Sequence, residues 1–320
     1  MTRAVPALLV MVLVLVSCSP GNERPPPTTA PAKVVVEDEH LRTVRMTSGR
    51  ALTYVHVGTA AQILCQALDK VGWSRLLGGD VGRRPMELPY AGCVVATADR
   101  SVRVQLRESE DAFEATTTIA GRPATTYERP GEHAVFVLAL IDDALRAEPF
   151  PIALRTLEVE TTGGDAEADR DVSLRVLDEI VPVLAKAGEP VPALDEYGEV
   201  AYVGTPLSAG AQFIDLPAPV QGLQLCTLLL RGDGFRLAAD DVRVTHDGEC
   251  HVKTEQGDLA VWTQDTRPGL DYRDLVAERP ATVSDGSVVV RLRDDADVEL
   301  RVTGPDAVTL AEKLVPLLTG

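Results

Sequence analysis

Apolar residues recur along the chain in two different periods, and the same order of periods occurs twice. Alternating runs such as SVRVQLR (101–107) and LAVWTQD (259–265) predict strands, because successive side chains of a strand face opposite sides. Apolar residues three and four apart predict a helix at 59–71 with Thr59 as its N-cap, and a counterpart around 223–230. A strand is predicted just before each of these helices, at 51–57 and 212–216.

An internal repeat accounts for this recurrence. A shift of 157 residues places Cys93 on Cys250 and IAGRPAT (119–125) on VAERPAT (276–282) without a gap. Each half then continues with two strands and closes with a helix, predicted at 171–187 and 305–318. The sequence therefore predicts an α+β fold of two tandem repeats, each an antiparallel sheet packed with two helices.

The repeat also sets the predicted domain boundaries. The first repeat covers 34–188, a Pro-containing linker covers 189–199, and the second repeat covers 200–320. The first half is longer, and its extra segments at 146–154 and 161–170 are predicted to be loop insertions.

The N-terminal residues have the pattern of an export signal. An apolar run at 5–16 follows Arg3, and it is too short to span a bilayer comfortably. Its end, Leu-Val-Ser-Cys at 15–18, resembles the lipobox of bacterial lipoproteins, in which the cysteine receives a diacylglycerol and the signal is cut before it. We expect a signal peptide at 1–17 and a lipidated Cys18 that begins a Pro/Thr-rich tether at 18–33. The alternative is an ordinary secretory signal with an incidental Cys18.

The net charge and the cysteines bear on the expected partners and on the cellular compartment. A net charge of −17 disfavours nucleic-acid partners, and the lack of a polybasic cluster leaves the lipid as the expected membrane anchor. If Cys18 carries lipid, four of the five cysteines remain for disulfides in an extracytoplasmic compartment. Four cysteines allow three pairings, and the one that duplication would preserve joins Cys65 to Cys93 and Cys226 to Cys250. Each bridge should contribute roughly 3 to 4 kcal/mol.

These features together resemble a group of actinobacterial lipoproteins of unknown function with paired-cysteine α+β domains. The likeness depends on Cys18 and on the cysteine pair of each half. It implies a lipid-anchored location on the outer side of the cell membrane, and it implies no catalytic residues. The commoner members have one such domain, whereas this chain has two.

Local catalytic motifs are missing from the sequence. We find no Gly-x-Ser-x-Gly, no Ser-x-x-Lys near a helix start, no His-Glu-x-x-His and no Gly-rich phosphate loop. We therefore expect neither an enzyme nor a cofactor site, although a dispersed triad is defined by geometry and stays open.

Two polar clusters allow a metal interpretation beside a structural one. His246, Asp247, Glu249 and His251 could meet one ion, but Asp247-Gly248 is a turn signal and favours a turn that leads into a strand. The acidic runs at 142–143 and 294–297 could suggest calcium, and solvated hairpin turns are the favoured interpretation.

Four further residues have a functional and a structural interpretation. Arg122 and Arg279, each followed by proline, could hold an anion, but we favour a rigid strand entry with the arginine paired to a carboxylate. Trp73 and Trp262 could stack on a ligand or anchor an interface, and partly buried packing is favoured.

The sequence thus predicts a non-catalytic, lipid-anchored binding or accessory protein. Its expected partners are the membrane, through Cys18, and an unidentified small molecule, lipid or envelope protein. The alternatives are an envelope scaffold or regulator and, third, a hydrolase with a dispersed site.

Overall fold

The second half of the chain is built on an antiparallel sheet whose strands carry the predicted alternation. The computed structural model describes residues 37–86, 90–107, 115–128, 134–140, 156–188, 190–207, 210–231, 235, 237, 239, 241–266, 269–294 and 297–319. The predicted signal peptide, Cys18 and the whole of the tether lie outside these residues, as do 142–143 and 146–154. In the described part, no helix combines the length and the apolar character needed to cross a membrane.

The second sheet has the order β12-β13-β14-β15-β11-β10-β9-β8. Its strands are β8 (Glu199–Val200), β9 (Asp241–Thr245), β10 (Cys250–Thr254), β11 (Gly257–Asp265), β12 (Asp274–Val276), β13 (Arg279–Ser284), β14 (Ser287–Arg291) and β15 (Val298–Thr303). Its helices are α4 (Ala218–Arg231) and α5 (Ala307–Thr319). Leu225 and Leu314 of these helices share a core with Val261 and Leu300 of the sheet.

The first sheet has the order β1-β2-β3-β7-β6-β5-β4. Its strands are β1 (Gly82–Met86), β2 (Gly92–Ala96), β3 (Ser101–Arg107), β4 (Thr117–Ile119), β5 (Arg122–Glu128), β6 (Ala134–Ala139) and β7 (Thr156–Thr162). The helices of this half are α1 (Val57–Gln66), α2 (Lys70–Leu77) and α3 (Ala166–Leu184).

The two sheets follow the same plan. Setting β8 aside, β9 to β15 have the same neighbours as β1 to β7. The repeated Arg-Pro-Ala-Thr element forms β5 in one half and β13 in the other, each after a two-residue turn. The α+β class with two antiparallel sheets is therefore confirmed.

The predicted strands at 51–57 and 212–216 were wrong. The structure has 3₁₀ helices at Gly49–Tyr54 and Gly210–Asp215 instead. Ala51, Leu52 and Thr53 are consecutive and all buried, whereas a strand with one face in solvent would bury only alternate residues. A tight helical turn places all three toward the core.

The predicted helix at 59–71 is two helices. Asp69 ends the first by capping the second, since its carboxylate accepts a hydrogen bond from the Gly72 amide at 2.6 Å. Val71 is consequently 74% exposed and does not extend the apolar stripe of α1. The first half thus has one helix more than predicted among its described residues.

The ends of the closing helices also differ from the prediction. Asp165 caps α3, and its carboxylate accepts the Ala168 amide at 2.8 Å, so the helix begins five residues before 171. The segment 161–170 is therefore not a loop insertion: it completes β7, turns and starts α3. The helix predicted at 305–318 is α5, which begins two residues after Pro305.

Candidate functional site

The cysteines form the two predicted bridges. Cys65 of α1 is bonded to Cys93 of β2, and Cys226 of α4 is bonded to Cys250 of β10. All four side chains are fully buried. Each bridge fastens the first long helix of its half to the sheet, so the cysteines are structural in the described part of the chain.

The cluster around His251 forms a turn. Gly248 has φ of 86° and lies against the Ala218 carbonyl, where a larger residue would not fit. Thr245 donates to Asp247, and His251 Nε2 lies 2.9 Å from Glu249 Oε2. Among the described residues, no group of three or more His, Cys, Asp and Glu side chains is arranged to hold a metal ion.

Two residues of the acidic run 294–297, Asp294 and Asp297, are described, and both lie near arginines. Asp294 is 3.7 Å from Arg279 at the start of β13, and Asp297 is 3.4 Å from Arg291 of β14. The carboxylate expected beside Arg279 is therefore present, which favours the strand-entry role over an anion clamp at this residue.

The two tryptophans have different surroundings. Trp73 of α2 is fully buried, and its indole N–H donates to the Cys65 carbonyl at 3.2 Å. Trp262 lies on β11, and the Arg301 guanidinium carbon is 5.2 Å from its ring centroid. Trp73 is thus more deeply buried than the predicted partly buried packing.

A buried polar seam joins the two halves. Arg42, just upstream of the first 3₁₀ helix, forms a bidentate ion pair with Asp215, with Nη2–Oδ1 and Nη1–Oδ2 distances of 2.9 and 3.2 Å. The Thr59 hydroxyl of α1 lies 3.0 Å from the same Asp215 oxygen. The side chains of Arg42 and Asp215 are only 10% and 4% exposed. Nearly all of this pairing is therefore hidden from water.

His56 is the second centre of the seam. It stands at the start of α1 and is 9% exposed. Its Nε2 lies 2.9 Å from the Thr263 hydroxyl and 3.3 Å from Gln221 Oε1, and its Nδ1 lies 3.4 Å from Asp265 Oδ1. One histidine of the first half therefore contacts both α4 and β11 of the second.

This arrangement has the residue types of a nucleophilic triad but the wrong hydrogen-bond directions. The Gln221 amide nitrogen donates to the carbonyls of Leu216 and Ile214 at 2.8 and 3.2 Å, so its oxygen is left as an acceptor. Thr263 donates its proton to that oxygen, and His56 Nε2 must then donate to Thr263. In a triad the hydroxyl donates to the histidine. The seam is therefore arranged to hold the two halves together and not to withdraw a proton from Thr263.

The sheet side that faces away from α4 and α5 is here called the open face of the second sheet. Side chains between the buried positions of β9, β10 and β11 project there. A groove of about 340 Å³ crosses this region. It is lined by Glu199, Asp241, Arg243, Thr245, His251, Val252, Lys253, Asp258 and Leu259.

The charges in the groove are of both signs. Arg243 lies 2.8 Å from Asp241 and 3.6 Å from Glu199, and the hydrogen bond to Asp241 raises the pKa of this guanidinium. His251 adds an imidazole, and Lys253 has no carboxylate within 4 Å in the described part of the chain. A ligand here would meet paired and unpaired polar groups side by side.

Each sheet also has a buried carboxylate on its helix-free side. Glu158 of β7 is 2% exposed and bonds Arg107 at 2.7 Å and the Tyr127 hydroxyl at 3.1 Å. Hydrogen bonds with Tyr90 and Glu158 raise the pKa of Arg107. These contacts compensate the burial of the Glu158 charge.

The second carboxylate has neutral partners. Glu299 of β15 is fully buried, accepts from the Tyr272 hydroxyl and lies 2.9 Å from Gln264 Nε2. Burial, and then the bond to Glu299, raises the pKa of Tyr272. A phenol thus helps hold this carboxylate.

The sequence analysis missed both the seam and these carboxylates. One usable signal was Gln221, one of two glutamines in the otherwise apolar helix segment that leads to Cys226. Another was the polar His56 directly before an apolar helix. Neither signal names its partner, because the contacts join residues more than 150 positions apart.

Comparisons with known proteins leave the chain without an assigned relative. No family model matches the sequence, no curated protein matches it, and no solved structure matches the fold.

Proposed function

We propose that the protein is a lipid-anchored, extracytoplasmic binding or accessory protein without catalytic activity. The cysteines support the extracytoplasmic location. Four of them form buried disulfides, which persist in oxidising compartments, and the fifth is Cys18 at the end of the export-signal pattern. Lipid on Cys18 would hold the chain at the outer side of the membrane through its tether.

The binding role is supported by the groove on the open face of the second sheet. Arg243, His251 and Lys253 line it together with acidic side chains, so it offers both donors and acceptors to a ligand. The inverted hydrogen-bond directions at His56 and Thr263 support a non-catalytic role for this cluster, which has the residue types of a triad.

We further propose that the halves are two copies of one module that act as a single unit. The shared strand order and the equivalent disulfides support the duplication. Residues Val35–Gly320 form one compact unit, and the seam gives this unit a physical basis. The tether would then present the two modules together.

An envelope scaffold or regulator is the second candidate. Three large apolar side chains, Tyr197, Val203 and Leu207, are 72%, 65% and 50% exposed within the short stretch that contains β8. Exposed apolar residues that cluster are typical of contact surfaces with other proteins.

Cell fractionation tests the proposed location. The wild-type chain is expected in the membrane fraction, released by detergent, and Cys18→Ser is expected in the soluble extracytoplasmic fraction. A matched control is Ser17→Ala, which keeps the cysteine. Equal membrane retention of wild type and Cys18→Ser would refute the lipid anchor.

A further inference from the structure

The groove on the open face of the second sheet contains an ammonium and a carboxylate that the protein itself leaves unpaired. Lys253 of β10 and Asp258 of β11 both line the groove, and both are exposed. Among the described residues, neither side chain has an oppositely charged group within 4 Å. The other ionised side chains of the groove are paired with one another, since Arg243 contacts both Asp241 and Glu199. A ligand in the groove therefore meets two accessible charges of opposite sign.

The strand register holds these two charges side by side. Lys253 is directly opposite Asp258 in the antiparallel pair of β10 and β11, so both side chains project from the same face of the sheet. The Cβ atoms of residues that are directly opposite lie about 4.5–5.5 Å apart. Because the charged ends are more than 4 Å apart, one small molecule that carries both an ammonium and a carboxylate can contact both side chains.

The internal repeat separates the structural charges of this region from the unpaired ones. Arg84 of β1 and Arg243 of β9 occupy equivalent positions, and each has a glutamate from the N-terminal part of its own half within 4 Å. The groove positions differ between the halves: His251, Lys253 and Asp258 correspond to Val94, Ala96 and Ser101. The arginine contact is thus common to both modules, whereas the ionisable groups inside the groove belong to the second module at these positions.

The charges of the lining favour a ligand without net charge. The groove is lined by three carboxylates but only two permanently cationic side chains, so a simple anion would meet a negative surplus. A simple cation would in turn face the unpaired Lys253. A ligand with one charge of each sign avoids both repulsions. The volume of about 340 Å³ lies at the lower end of the range for small-molecule sites.

We propose that the groove binds a small zwitterion, a free amino acid or a short peptide, with the ligand's ammonium at Asp258 and its carboxylate at Lys253. Each end then forms a charge-assisted hydrogen bond, which is stronger than a neutral one. His251 lies on the same face, and its Nδ1 is a further polar contact because Glu249 engages Nε2. This proposal names the ligand class of the groove and rests on the proposed binding function.

Backbone amide resonances test the site directly. Full-length Cys18→Ser protein, labelled with ¹⁵N, is titrated separately with alanine and with alanylalanine at neutral pH and constant ionic strength. We expect the amide signals of β10 and β11 to shift saturably with at least one of them, and the two titrations separate an amino-acid site from a peptide site. N-acetylation removes the ammonium of the bound probe and amidation removes its carboxylate, and each change should weaken binding about threefold or more.

Matched variants assign each end of the ligand to its residue. Lys253→Ala and Asp258→Ser introduce the residues that the first module has at these positions. Lys253→Ala should weaken binding of the free zwitterion but not of its amidated form, and Asp258→Ser should likewise spare the N-acetylated form. The controls Lys186→Ala and Asp178→Ser remove the same charges at exposed positions in and just after α3, and they should bind normally. Retained signals from the rest of the protein would show that each variant folds.

Three outcomes would overturn the proposal. The amide signals of β10 and β11 do not shift saturably with alanine or alanylalanine, the end-blocked forms bind as well as the free zwitterion, or the control variants weaken binding as much as Lys253→Ala and Asp258→Ser. Such a failure alongside a non-covalent adduct on the intact protein would remove this ligand class and leave the binding function standing. Failure of the binding function itself would appear as an intact protein without any adduct.

Discussion

Arg42 and Asp215 are 173 residues apart in the sequence, yet their side chains form a bidentate ion pair that is almost closed to solvent. Asp215 ends a 3₁₀ helix of the second half, and Arg42 precedes the first sheet. The two halves therefore share a charge pair that neither can complete alone.

Breaking this pair should strongly destabilise the protein. Asp215→Ala leaves the Arg42 charge buried without its partner, and we expect a loss of about 3–5 kcal/mol in the free energy of unfolding measured in urea. The double variant Arg42→Met, Asp215→Leu should lose less unfolding free energy than the sum of the losses in the single variants Arg42→Met and Asp215→Leu. The exposed pair Arg273 and Asp271 is the control, where Asp271→Ala should cost under about 1 kcal/mol. Similar losses at both pairs would contradict a buried seam.

The hydrogen bonds around His56 should also stabilise the fold. Thr263→Val keeps the shape of the side chain but leaves Gln221 Oε1 and His56 Nε2 without the hydroxyl, so we expect a loss of about 1–3 kcal/mol in urea unfolding. Thr118→Val, on the exposed strand β4, is the control and should change stability little. A neutral Thr263→Val would show that the seam does not depend on this hydroxyl.

Alkaline pH should weaken the protein through Tyr272. Because its pKa is raised in the folded state, the folded chain holds this proton more tightly than the unfolded chain. That contribution is fully present below about pH 10, the unfolded value, and is lost as pH rises through the folded pKa. Unfolding free energies between pH 8 and 11 should fall less steeply in Tyr272→Phe than in wild type. Tyr197→Phe should keep the wild-type slope, and an unchanged slope in Tyr272→Phe would refute the assignment.

The repeated turns offer a stabilising substitution. The turn between β4 and β5 has Ala120 and Gly121 at φ of 49° and 74°, whereas the turn between β12 and β13 has Ala277 and Glu278 at 49° and 63°. Both residues of such a hairpin need positive φ, which favours glycine. We expect Glu278→Gly to raise the free energy of unfolding by roughly 0.5–1 kcal/mol. This is the cost of holding a non-glycine residue in the αL conformation minus the entropy that glycine loses on folding. Gly121→Ala should lower it, and destabilisation by Glu278→Gly would contradict the turn geometry.

The features that depend on local pattern or on the repeat were predictable from sequence. The alternation in 101–107 placed β3, and the shift between Cys93 and Cys250 led to both disulfides. Local competition explains part of the rest: Asp69 capped a second helix, and three adjacent residues at 51–53 had to be buried together. The seam could not be predicted from the sequence, because the partners of Arg42 and His56 are set by how the halves pack and not by any local period.

Native mass spectrometry of the full chain, extracted in detergent from its own membranes, tests the central claim most directly. We expect a lipid mass on Cys18, a gain of two hydrogens for each of the two bridges on reduction, and a discrete non-covalent adduct that survives purification. A lipidated chain with both bridges and no adduct would favour the envelope scaffold. An unmodified Cys18 would contradict the lipid-anchored location on which the proposed function depends.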